Sequence, residues 1–450
     1  MKNVRTLSII ALCFICILAC TGCQTDKTKK TAADTSDTPP PAEDEKDKQG
    51  SEDDENAHTA DLVTIVPADD EETAGKDIQP EADRETDTDT AALPSGGDID
   101  SQIEEYLEKM SIQEKAAQMF IILPEAAVNT DIVTEAGAMT EEAIHNIPVG
   151  GFVYMEQNLQ SPEQVKTMLE TVQGYSMDRL GLPLFTCIDE EGGTVARING
   201  NANFNVPPIG SMAEVGASGD VNQAYQTGLD LGSYLSELGF NVNFAPVADV
   251  LSNPSNEVVK DRAFSSDPDV TAEMSAAVLK GLKENGVYGA FKHFPGHGAT
   301  EGDTHEGYAF TSKTLDDLLT CELIPFERGI QEETDFIMAG HISLPNVIGD
   351  DTPASLSYKM LSEILRDQMD YNGIIITDAM NMGAISQTYT ASDAAVKAIQ
   401  AGVDIILMPD DFAAAYQGVL DAVDNHIIPE DKINDSVSRI LKVKLTMLEK

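Results

Sequence analysis

Tryptophan is absent from this chain and aromatic residues make up only 6% of it, which disfavours a long cleft paved with stacking rings for gripping a polymer over many units. Positive charge is scarce as well. Lysine and arginine number 29 against 77 aspartates and glutamates, giving a net charge of −48. Such a chain repels phosphates, which argues against nucleic acid as a partner and leaves neutral, hydroxyl-rich ligands open. Four of the six cysteines lie within the first 23 residues, so only Cys187 and Cys321 remain, a distant pair that forms no disulfide framework. The apolar run from Leu7 to Ala19 is too short for a spanning helix. Preceded by Lys2 and Arg5, it reads as a secretory signal.

Directly after that run, Ala19-Cys20-Thr21-Gly22-Cys23 resembles the lipobox of bacterial lipoproteins. The resemblance implies cleavage and acylation at Cys23, with Cys20 as the second candidate, and anchoring to the outer face of the cell membrane. Residues 24–97 are rich in Asp, Glu, Thr, Ala, Pro and Lys and nearly free of aromatics, a composition that cannot bury enough apolar surface to fold. They read as a disordered acidic linker, extended by self-repulsion. Residues 98–450 are expected to form one domain, because α/β barrels reach this length around a single core.

Within that domain eight short apolar runs alternate with longer amphipathic stretches, the pattern of repeated strand-helix units and a parallel sheet. The runs are 119–123, 151–155, 184–189, 241–245, 289–294, 336–341, 373–378 and 404–408. Eight parallel strands predict an α/β fold, a single (β/α)8 TIM-like barrel. Residues 220–239 place Ala224, Gly228, Leu231, Leu235 and Leu238 on one helical face and stop at a glycine, and 430–448 repeat the spacing with Ile433, Val437, Ile440 and Leu441.

The unusual polar residues fall at strand ends: Asp189-Glu190-Glu191 after the third run, Lys292-His293 at the fifth, His341 at the sixth and Asp378 at the seventh. Barrel enzymes assemble their sites at that face, so these side chains are expected to share a mouth. The densest segment is Lys292-His293-Phe294-Pro295-Gly296-His297-Gly298, followed by Asp303-Thr304-His305. Its spacing fits no compact zinc pattern, and neither metal nor cofactor is expected. By residue type alone, Asp378 serves equally as a helix N-cap, and His341 as a core histidine satisfied by its neighbours.

The run Lys292 to His305 resembles the K-H-F-P-G-H-G-x-x-x-x-D-[ST]-H signature of the β-N-acetylglucosaminidase branch of glycoside hydrolase family 3. Further matching pieces are Ile188 to Gly193, Asn253-Pro254, Asp261 to Phe264, Met338 to His341 and Ile376 to Met380. The resemblance implies a retaining exo-acting enzyme with Asp378 as nucleophile and a covalent glycosyl intermediate. His305 would be the general acid/base and Asp303 its partner. Asp189, Arg262, Lys292, His293 and His341 would hold the terminal sugar.

It also implies a carbohydrate partner containing N-acetylglucosamine; together with the membrane anchor it makes non-reducing ends of peptidoglycan fragments the expected substrate, chitin oligomers staying open, and the chain is expected to be a monomer. Related activities in the family, on β-glucosides or β-xylosides or with phosphate as acceptor, stay open, and so does a sugar-binding protein without turnover. Ala299 departs from the aspartate usual after His297-Gly298, with a local change of packing expected. Other branches supply the acid/base residue from a second domain. No such segment is expected after the barrel here, and that expectation favours a histidine carried on a loop.

Overall fold

The computed structural model describes residues 97–449. The secretory signal, Cys23 and nearly all of the acidic linker lie outside the described residues. The first helix, Ile99–Lys109, opens on Asp98, whose carboxylate accepts from the Ser101 N–H, an N-cap that satisfies one of the orphan donors of the first turn.

Each of the eight apolar runs holds a strand: β1 Phe120–Ile122, β2 Gly151–Val153, β3 Phe185–Ile188, β4 Val242–Asn243, β5 Tyr288–Phe294, β6 Phe336–Ala339, β7 Ile374–Thr377 and β8 Ile406–Leu407. Every residue of these strands is buried, as expected of strands covered on both faces. They pair in parallel in the order β8-β1-β2-β3-β4-β5-β6-β7. The ring closes through a parallel bridge between Ile376 and Ile405, which confirms the (β/α)8 barrel. Only β5 begins outside its expected bounds, one residue early at Tyr288.

The helix Val221–Leu238 is capped by Asp220 and ended by Gly239 at φ 97°, a left-handed turn that glycine adopts without strain. It packs so closely on the helix Pro268–Glu284 that a Cβ on Gly228 would stand 2.2 Å from the Val278 carbonyl oxygen. The last helix, Glu430–Leu448, buries Ile433, Val437, Ile440 and Leu441 against the barrel. Cys187 and Cys321 are both free thiols.

Beyond β4 the chain runs on beside β5, with the Ala248 N–H donating to the Lys292 carbonyl at 2.7 Å and Val247 bridging Lys292 in parallel. That extension carries Asp249 up to the level of His293. A small parallel pair, Ala309–Phe310 with Ile342–Ser343, lies above the barrel and ties the loop after β5 to the loop after β6.

Candidate active site

At the end of β3, Glu191 is the centre of a buried ion network. Arg262 grips it with two parallel bonds, Nε to Oε2 and Nη2 to Oε1, both 2.8 Å. The Lys292 ammonium stands 2.7 Å from Glu191 Oε1 and 2.7 Å from Asp189 Oδ1. Burial opposes the ionisation of Glu191, but the two cations outweigh it and hold the carboxyl far below its ordinary range. Lys292 stays charged for the reciprocal reason: burial works against its ammonium, and Asp189 and Glu191 more than compensate.

Asp249 is fully buried and takes three donors: the His293 N–H at 3.1 Å, His293 Nδ1 at 2.7 Å and the His297 N–H at 2.6 Å. A carboxylate only accepts, so Nδ1 of His293 carries the proton and its Nε2 faces Arg262 Nη2 at 3.4 Å. His297 itself is sealed in, bonded to the hydroxyls of Thr300 and Thr304, both at 3.1 Å. Burial, with His293 adding to it, pushes its imidazole down to about 4, which leaves it neutral near pH 7.

Asp378 follows the last residue of β7. Its own N–H donates to the Ala339 carbonyl at 2.9 Å, and its Oδ1 accepts the Ala379 N–H at 2.8 Å. Burial works against its charge, yet His293, His341, the Ala379 N–H and Lys292 together hold it below the ordinary carboxylate range. It is an ionised carboxylate on a rigid strand end. His341 lies close by, with Nε2 donating to the Ala379 carbonyl at 3.0 Å and Nδ1 bonded to Ser355 Oγ at 2.8 Å. Both ring nitrogens are therefore used within the protein, and the ring braces the backbone on which Asp378 sits.

Asp303 and His305 pair in the loop after β5. The His305 N–H and its Nδ1 both donate to Asp303 Oδ1, at 2.9 and 2.7 Å. Burial of Asp303 opposes its charge, but these two donors prevail and hold it below its ordinary range. With Nδ1 committed to the carboxylate, Nε2 of His305 is the atom left to exchange a proton with a ligand. The pair makes no hydrogen bond to Asp378. Its tie to that side of the barrel runs through backbone, from Gly383 and Ala384 to the carbonyls of His305 and Thr304.

Asp189, Arg262, Lys292 and His293 thus converge in one network, Asp378 and His341 stand beside it, and Asp303 with His305 sits apart on an exposed loop. The sequence assigns Glu190 and Glu191 no part in holding the sugar, and both lie in the turn that follows β3. Glu190 does shape it, accepting from the N–H groups of Arg197, Ile198 and Asn199 and from the Tyr234 hydroxyl. Glu191 instead neutralises both cations of the site. Asp249 was missed because the fourth run was ended at Ala245. An acid after the apolar Pro246-Val247-Ala248 was the available signal. Ala299 is buried in a single tight turn, His297–Ala299. Among the described residues, no three His, Cys, Asp or Glu side chains converge to hold a metal ion.

The fold and site define a closed (β/α)8 barrel whose strand ends carry an ionised aspartate, a charge-paired rim and a loop-borne histidine. The family model described as the glycosyl hydrolase family 3 N terminal domain matches residues 111–443, and the chain belongs to that family. It is 34% identical over 328 residues to the beta-hexosaminidase A of Pseudoalteromonas piscicida, covering 67% of this chain and 54% of that protein. It is 33% identical over 266 residues to a beta-hexosaminidase of Nitrosomonas eutropha, covering 58% of this chain and 74% of that one. The solved family 3 beta-N-acetylglucosaminidase of Paenibacillus sp. str. FPU-7 superposes with a TM-score of 0.70 at 32% identity, over 75% of this chain and 63% of that one. The chain therefore spans about half the length of the Pseudoalteromonas protein and under two thirds of the Paenibacillus one.

Proposed function

We propose that this protein is a retaining exo-β-N-acetylglucosaminidase that removes N-acetylglucosamine from the non-reducing ends of peptidoglycan-derived fragments. The observation that carries the reading is an ionised carboxylate, Asp378, fixed on a strand end beside a charge-paired rim, with a carboxylate-bonded imidazole on the neighbouring loop. Asp378 attacks the anomeric carbon while Nε2 of His305 gives its proton to the departing oxygen, leaving a glycosyl ester on Asp378. The neutral imidazole then takes a proton from water, and the resulting hydroxide equivalent attacks the same carbon and frees the sugar. Asp303 keeps the ring oriented and stabilises its charged form through both steps.

Asp189 and the cations beside it suit the hydroxyl groups of a single ring: a carboxylate accepts from hydroxyls and Lys292 donates to them. The choice of N-acetylglucosamine rests on the names of the relatives. Export, acylation at Cys23 and a membrane-anchored site of action rest on the first 23 residues, and metabolic labelling with a fatty acid that persists in Cys23→Ala would refute that acylation site.

Incubation with a slow, fluorinated N-acetylglucosaminyl substrate followed by mass mapping tests the chemistry. A covalent label on the peptide bearing Asp378 is expected, and a label elsewhere would overturn the nucleophile. Faster cleavage of an aryl β-glucoside than of the matching N-acetylglucosaminide would overturn the substrate.

A further inference from the structure

Asp378 ends a barrel strand, whereas Asp303 and His305 belong to a loop that leaves a different strand, so something must keep the two in step. The contact lies just beyond Asp378 in sequence. The Gly383 N–H donates to the His305 carbonyl at 3.2 Å and the Ala384 N–H to the Thr304 carbonyl at 3.1 Å. Nε2 of Gln387 donates to the Glu306 carbonyl at 2.9 Å. Three consecutive carbonyls of the acid/base loop, those of Thr304, His305 and Glu306, are thereby taken by one short stretch of the nucleophile's own chain segment.

Position 383 is a glycine for reasons of space. It has no left-handed φ to accommodate, but a Cβ there would stand 2.8 Å from the Glu306 carbonyl oxygen, 2.9 Å from that carbonyl carbon and 2.8 Å from Gln387 Nε2. The first two atoms are backbone and cannot rotate aside, so a side chain at 383 lifts the loop. The loop is also held within itself, by the contact between His297 Nε2 and the Thr304 hydroxyl and by the antiparallel bridge between Glu301 and Phe310. Neither of these contacts reaches the nucleophile's segment.

We propose that Gly383, Ala384 and Gln387 form a latch that registers His305 on Asp378, making Gly383 and Gln387 positioning residues for proton transfer. The proposal rests on the assignment of Asp378 and His305 given above. None of the three supplies a proton or a charge to the sugar. Their work is alignment, and a loop displaced by a fraction of an ångström to one ångström loses most of the benefit of a general acid. The nucleophile, held by β7 and by the Ala339 carbonyl, is untouched by the change.

The test compares Gly383→Ala, Gln387→Ala and His305→Ala on two N-acetylglucosaminides, one with a poor alkyl leaving group and one with a 2,4-dinitrophenyl group that departs unprotonated. Gly383→Ala is expected to lose roughly 100-fold in kcat/KM on the alkyl substrate and less than about threefold on the dinitrophenyl one. Gln387→Ala, the milder lesion, is expected to lose roughly three- to tenfold on the alkyl substrate alone. Because azide needs no general base, it should restore dinitrophenyl turnover in Gly383→Ala wherever release of the sugar from Asp378 has become slow.

Equal losses on the two substrates in both latch variants, or no loss in either, would overturn the latch while leaving His305→Ala selective. If His305→Ala itself loses equally on both, the acid/base assignment falls and the latch falls with it. Labelling of Asp378 by the fluorinated substrate, expected to be unchanged in Gln387→Ala, separates either failure from loss of the folded site.

Discussion

The two sides of the barrel mouth are built on opposite terms. On one, Lys292 and Glu191 are 3% and 1% exposed, and their charges are satisfied by each other, by Arg262 and by Asp189. On the other, the His305 ring is 62% exposed and Asp303 34%, joined to each other and otherwise held by backbone. A buried network of ions cannot shift without stranding a desolvated charge, so its polar groups are preorganised for the ligand proposed above. An exposed pair contributes little to stability, and its place is set by the hydrogen bonds that the backbone of its loop accepts from Gly383, Ala384 and Gln387. Buried charge fixes one side of the mouth, and backbone hydrogen bonds fix the other.

This contrast can be broken most forcefully at Glu191. Replacing it by Gln leaves Arg262 and Lys292 facing each other with one counter-charge fewer, and a loss of about 3–5 kcal/mol in folding stability is expected, as for other broken buried pairs. Urea denaturation of Glu191→Gln measures it. A loss below about 1 kcal/mol would mean that the network is wetter and looser than its geometry implies.

Asp249→Asn is the next lesion in size. The amide offers only one oxygen where two served three donors, and its NH2 group competes with the protonated Nδ1 of His293. A reduction of roughly ten- to a hundredfold in kcat/KM is expected, from the loss of about 1.5–3 kcal/mol in a charged hydrogen bond. Steady-state assays on a single aryl substrate suffice, and an unchanged kcat/KM would remove His293 from the recognition surface.

His297 sharpens the comparison through pH. Its imidazole is held down to about 4 in the folded chain by burial, while the unfolded chain takes a proton below about pH 6.5. Between those limits the unfolded state binds more protons, so stability is intact above pH 6.5, falls as the pH drops towards 4, and falls no further from this cause below that. Denaturation curves for wild type and His297→Gln should therefore converge between pH 7 and pH 5 by an amount on the order of 1–2 kcal/mol. A constant gap would show that the ring is not sealed from protons.

The smallest effect is expected on the exposed side. His305→Ala should change folding stability by no more than about 0.5 kcal/mol, even as it disables turnover of poor leaving groups. Thermal unfolding checks this, and a large destabilisation would erase the division between the two sides of the mouth.

How much of this was legible beforehand differs between the same two regions. The eight strands were readable as short β-branched or aromatic runs, several of them nearly continuous in apolar residues because both faces are covered, and Asp378 could be singled out because it breaks such a run after Thr377. The loop that bears Asp303 and His305 announced itself through glycines, a proline and three histidines packed into one segment. The partners of these residues were not legible. Glu191 sits in a row of three acids that differ in sequence by nothing visible, and only the direction of the chain after β3 sends Asp189 to the mouth, Glu190 into a cradle of N–H groups and Glu191 onto two cations.

Sequence by itself therefore determined which segments become strands and which polar residues cap them, because both depend on periodicity along a few consecutive positions. Tertiary structure alone decided that Asp249 fixes His293, that His341 spends both nitrogens on Ser355 and Ala379, and that Gly383 makes room for the loop bearing His305. Those pairings join residues from 14 to about 80 positions apart. They follow from how the closing barrel twists its strands and aims the loops, and no local pattern carries that information.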